Sequence, residues 1–110
     1  MLDVDSRSDA TVIFVTADLD IASGEQLESA IVTAETAGKP IVVSLADCPF
    51  CDSTGLGIFM RTKNRLGAAF AVVVPQDSRC YRIFEVTKLA AILPVYANVE
   101  AALESFQKVG

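Results

Sequence analysis

The sequence predicts an α/β fold built on a mixed, mostly parallel sheet of about five strands with about four helices. Three observations predict it. Apolar runs of strand length alternate with helically spaced apolar residues along most of the chain. Two of those runs, Ile41 to Ala46 and Ala68 to Val74, are apolar almost throughout, as strands covered on both faces are. Near the N-terminus two strand-like stretches are separated only by a polar turn, so an antiparallel hairpin is expected beside right-handed parallel crossovers. A length of 110 residues suits one domain spanning 1–110, with 1–10 a short strand and turn.

Leu2 and Val4 mark the first strand, and Asp5-Ser6-Arg7-Ser8-Asp9 the turn after it. The β-branched and aromatic run Thr11 to Ala17 forms the second strand. Ser23 and Gln26 have capping-box spacing, and Leu27, Ala30, Ile31 and Ala34 supply the apolar stripe of a helix that Gly38 and Pro40 stop. After the strand Ile41 to Ala46, a second helix begins near Ser53, with Leu56, Phe59 and Met60 inward and Gly67 as its stop. Arg61 and Arg65 suit its carboxyl end and face solvent. Ala68 to Val74 is the next strand. Asp77 or Ser78 caps a third helix with Ile83 and Phe84 inward, Ile92 to Tyr96 is the last strand, and Asn98 caps a helix carrying Val99, Ala102, Leu103 and Phe106.

Composition narrows the chemistry. Nine basic against fourteen acidic residues, a net charge of −5, exclude a nucleic-acid or anionic-membrane surface as the main target, because phosphate binding needs a cationic field. The chain has no histidine, which removes the commonest general base and metal ligand. Three cysteines fit a reducing compartment better than a disulfide scaffold. Met1 to Ala10 has no apolar signal core, and no apolar run reaches membrane-spanning length, so a cytoplasmic domain is expected. Neither a cofactor nor a metal is expected.

Function in such folds sits in loops at the carboxyl ends of strands. Here those loops carry Asp18 and Asp20, then Asp47, Asp52 and Ser53, then Asp77 and Ser78. A receiver-like phosphotransfer site fails on two counts: Leu19 separates the first two carboxylates, and no Lys follows the final strand. Cys48-Pro49-Phe50-Cys51 looks like the redox motif of glutaredoxins. It follows a complete strand–helix–strand unit instead of the first strand, and Pro75 leads into a helix start. The cysteines also read as small buried hydrophobes. Asp52-Ser53-Thr54-Gly55-Leu56-Gly57 delivers a hydroxyl to the amino end of a helix, where capping by Ser53 is the simplest role. Without histidine, Ser53 lacks the usual activating base of a nucleophilic hydrolase.

The last motif, in its strand–helix setting, resembles the STAS domains of bacterial anti-sigma-factor antagonists. Their hallmark is an apolar strand, a short loop, and Asp-Ser-Ser/Thr-Gly-Leu-Gly opening a helix, seen here from Ile41 through Gly57. Their Gly-Glu-Leu-Asp is matched by Ala17-Asp18-Leu19-Asp20. The resemblance implies a STAS-type fold and a non-enzymatic switch. The unphosphorylated antagonist binds an anti-sigma factor, often a serine kinase of the histidine-kinase-like ATPase fold, and so frees a sigma factor. That kinase phosphorylates Ser53, with Thr54 in reserve, and a serine phosphatase resets the pair. Asp18, Asp20, Asp52, Ser53, Thr54, Gly55, Leu56 and Gly57 form the implied contact region. Two departures from the family pattern stand out: Ala17 in place of Gly, and Cys48 and Cys51 in slots usually held by aliphatic residues. Two alternatives stay open, a thiol–disulfide oxidoreductase using Cys48 and Cys51 and a STAS scaffold that is never phosphorylated.

Overall fold

The computed structural model describes residues 2–107; Met1 and residues 108–110, which the expected domain includes, lie outside the described residues. Five strands form one sheet in the order β1-β2-β3-β4-β5. They are β1 (Leu2–Ser6), β2 (Thr11–Val15), β3 (Ile41–Ser44), β4 (Phe70–Val73) and β5 (Val95–Tyr96). β1 runs antiparallel to β2, and every later pairing is parallel. The mixed, mostly parallel sheet expected from the sequence is therefore present, with four α-helices: α1 (Ile21–Glu35), α2 (Ser53–Leu66), α3 (Tyr81–Thr87) and α4 (Val99–Gln107).

Strand alternation explains how the two faces differ. Ile13, Val15, Ile41, Val43, Phe70 and Val72 point to one face, where residues of α1, α2 and α3 complete the main core. Phe59 on α2 stands at its centre, 6.3 Å from the ring of Phe70 and 6.2 Å from that of Phe84. The alternate residues Val12, Val42, Ala71 and Val73 meet α4 through Ala102, with Val99, Leu103 and Phe106 packed around them. All four residues of β3 and of β4 are buried, as the continuous apolar runs require.

Several local expectations are corrected. The capping box of α1 is formed by Asp20 and Ser23, not Ser23 and Gln26: the Asp20 carboxylate accepts from Ser23 N–H at 3.1 Å, and Ser23 Oγ accepts from Asp20 N–H at 2.9 Å. The helix begins at Ile21 because Asp20 is extended and its shorter carboxylate already reaches the third turn position. Ala68 and Ala69 belong to a 3₁₀ turn, Gly67–Ala69, and β4 starts only at Phe70. Gly67 ends α2 with φ 58°, a conformation that strains residues with a Cβ. Neither Asp77 nor Ser78 caps α3: Ser78 Oγ donates to Pro75 O at 2.6 Å, and the helix follows Cys80 without a side-chain cap. Of the run Ile92 to Tyr96, only Val95 and Tyr96 pair, after a 3₁₀ turn at Leu89–Ala91. Asn98 does cap α4, its Oδ1 accepting from Ala101 N–H at 2.8 Å.

Candidate functional site

β2, β3 and β4 are parallel neighbours, so the loops that follow them emerge side by side at one edge of the sheet. The first two rejoin beyond the strands. Leu19 and Cys51 form an isolated parallel bridge, with Leu19 N–H donating to Phe50 O at 2.7 Å and Asp52 N–H to Leu19 O at 3.3 Å. A bridge imposes the strand's period of two on both segments. Leu19 and Cys51 turn inward and are 0% and 3% exposed. Asp18, Asp20 and Phe50 are exposed, and Asp52 is half-buried. The acidic residues of two loops are thus held together by backbone pairing.

Asp52 is the N-cap of α2, its carboxylate accepting from Thr54 N–H at 2.8 Å. Ser53 is therefore the first helical residue instead of the cap, and it is exposed. Thr54 and Gly57 are half-buried, whereas Gly55 and Leu56 are buried and hold the helix start against the core. A Cβ at Gly55 would lie 2.6 Å from Leu19 Cδ2 and 2.8 Å from Cys51 Sγ, so the bridge can seat itself only over glycine. Asp20 is held below the usual carboxylate range by the hydrogen bonds from Ser23 backbone and side chain. That carboxylate is committed to its cap.

The three cysteines are buried free thiols among the described residues. Cys48 Sγ donates to Phe50 O at 3.1 Å. Cys51 Sγ donates to Asp52 O at 3.6 Å, and burial pushes its thiol up to about 12. Cys80 also meets Cys48, its Sγ donating to the backbone Cys48 O at 3.3 Å. Hydrogen bonding from Cys80 lowers the Cys48 thiol to about 7, against the opposing effect of burial. Sequence reasoning passed over Cys80; the available signal was its position in the loop after the strand adjacent to β3.

A match to the STAS domain family runs over residues 1–102, nearly the whole chain. The chain belongs to the STAS domain family. This STAS domain is 24% identical over 105 residues to the anti-sigma-B factor antagonist of Bacillus subtilis, covering 94% of this chain and 96% of that protein. Among solved structures it superposes on an anti-sigma factor antagonist from Mycobacterium paratuberculosis with a TM-score of 0.84 and 27% identity, covering 98% of this chain and 94% of the other. It also shares its fold with the anti-sigma factor antagonist SpoIIAA. The unphosphorylated form of SpoIIAA gives a TM-score of 0.77 at 20% identity, covering 100% of this chain and 99% of that one. The phosphorylated form from Bacillus gives 0.68 at 21% identity, covering 96% and 99%. Among the described residues, no helix of this STAS domain is long and apolar enough to cross a membrane.

Proposed function

We propose that this STAS domain is an anti-sigma-factor antagonist whose unphosphorylated form binds an anti-sigma factor and whose Ser53 is the phosphorylation site. The observation that carries this reading is an exposed hydroxyl on the first residue of α2, beside a capping carboxylate, on a loop bridged to Asp18 and Asp20. The antagonists it resembles supply the regulatory role; the partner's identity as a serine kinase and the serine phosphatase are part of the same reading. The domain acts as substrate, not enzyme. The partner brings nucleotide and base, the γ-phosphoryl group passes from ATP to Ser53 Oγ, and the hydroxyl proton leaves to that base.

Charge makes such a transfer a switch. A phosphoserine carries roughly −1.5 to −2 charges at neutral pH. The amino end of a helix accommodates a negative group, so the fold survives the modification. Across an interface the same charge, added beside Asp52, meets groups arranged for a neutral hydroxyl. Like-charge juxtaposition there costs several kcal/mol, and about 3 kcal/mol is a hundredfold in affinity.

Phosphopeptide mapping of protein isolated from its own cells tests the reading. One phosphate is expected on Ser53 and none in Ser53→Ala. Ser53→Asp should weaken capture of the co-purifying anti-sigma factor about a hundredfold while leaving the circular-dichroism spectrum unchanged. Phosphate on Thr54 would move the site to the reserve acceptor. A protein that captures its partner but never carries phosphate at either position would instead be a constitutive scaffold.

A further inference from the structure

We propose that Cys48 is a hydroperoxide-reactive thiol and that Cys80, not Cys51, captures its sulfenic acid to give a Cys48–Cys80 disulfide. The switch edge does not use these thiols, and the proposal is independent of phosphorylation. Three arrangements carry it. The two residues, 32 apart in sequence, meet because β3 and β4 are neighbours and their following loops pack together, Cys80 Sγ donating to Cys48 O at 3.3 Å. Cys51 Sγ is hydrogen-bonded to Asp52 O and packs where a Cβ on Gly55 would fall, so its sulfur is committed to the start of α2. Cys48, though only 2% exposed, lines an open cleft of about 420 Å³ with Asp47, Pro49, Ser78 and Arg79, the route by which a small peroxide would reach it. Thiolate character at Cys48, whose thiol is lowered to about 7, fits the role of the attacking group. Cys80 is shifted the other way, so it remains the proton donor of the pair.

The chemistry balances with hydrogen peroxide as oxidant. Cys48 sulfur attacks one peroxide oxygen, an S–O bond forms as the O–O bond breaks, and hydroxide leaves to become water. Cys80 sulfur then attacks the sulfenic sulfur. The S–S bond forms, the S–O bond breaks, and the oxygen departs as a second water carrying the Cys80 proton. Two thiols are oxidised and one peroxide is reduced to two waters. The product ties the loop leading into α2 to the turn leading into α3.

The test treats the reduced full chain with hydrogen peroxide, blocks remaining thiols, and maps linked peptides by mass spectrometry without reduction. A Cys48–Cys80 link is expected in the native protein and in Cys51→Ser. In Cys80→Ser, dimedone should label Cys48; in Cys48→Ser it should label nothing. Disulfide formation in the native protein should slow about tenfold per pH unit below about 7, following the thiolate fraction. A Cys48–Cys51 link would overturn the proposal, as would three free thiols after exposure that oxidises glutathione fully. The native-protein map decides the matter even where a cysteine variant does not fold, and it requires no partner or phosphate.

Discussion

A methyl group on Gly55 would sit 2.6 Å from Leu19 Cδ2 and 2.8 Å from Cys51 Sγ, both side chains of the rim bridge. Neither neighbour has room to retreat, since both are buried. Gly55→Ala should therefore destabilise the domain by about 1–3 kcal/mol, the usual cost of overpacking. Urea denaturation would register this as a lower midpoint with an unchanged slope. An unchanged midpoint would mean that Leu19 and Cys51 are loosely held. The resemblance to STAS domains implied Gly55 as part of a contact region; its burial depends on Leu19, which lies far away along the chain. Ser53 was legible as a hydroxyl at a helix start, but its exposure and its exchange of roles with Asp52 were not. Aspartate and serine are comparable N-caps, and only the backbone geometry chooses between them.

At the scale of elements, α1 is fixed at its start by Asp20 and along its length by α2. Arg61 Nη2 meets Glu28 Oε2 at 3.1 Å, and Arg65 Nη2 meets Glu35 Oε2 at 2.8 Å. These arginines were expected to answer the dipole of their own helix, yet they bridge to the neighbouring one. Sequence cannot see this, because the partners are about thirty residues away. Being exposed, the pairs contribute little individually, up to about 1 kcal/mol. The cap is the more diagnostic contact. Its carboxylate lies below the ordinary value of 3.8, so the folded state favours the ionised form. The resulting stability is complete above that ordinary value and is lost as pH falls through the lower, folded one. Thermal midpoints should therefore drop on acidification below about pH 4, and Asp20→Asn should flatten part of that drop. An identical acid profile in the variant would remove Asp20 from the account. Asn98 at α4 was readable outright, because nothing nearby competes with it for the cap.

For the whole molecule, the two sheet faces are unequal. Among the described residues, one carries α1, α2 and α3 over a core built around Phe59; the other carries α4 alone, whose one buried residue is Ala102. Amide exchange should follow that inequality, with α4 opening at lower free energy than β3 or β4. Equal protection of α4 and the central strands in a native-state exchange series would contradict it. Element order and the parallel crossovers were legible because apolar periodicity reports burial directly, as β3 and β4 illustrate. The Cys48–Cys80 meeting was not, since it arises from the adjacency of two strands and neither loop alone encodes it. A last consequence concerns β1, which pairs only with β2 and so forms one border of the sheet. Beyond its first residue the strand is exposed, and it presents Asp3 and Asp5 on either side of Val4. Were two molecules to approach border to border, each would set Asp3, and Asp5 with its partner Arg7, beside the other's edge. Charged side chains on an edge strand are a recognised means of discouraging open-ended strand addition and fibre growth.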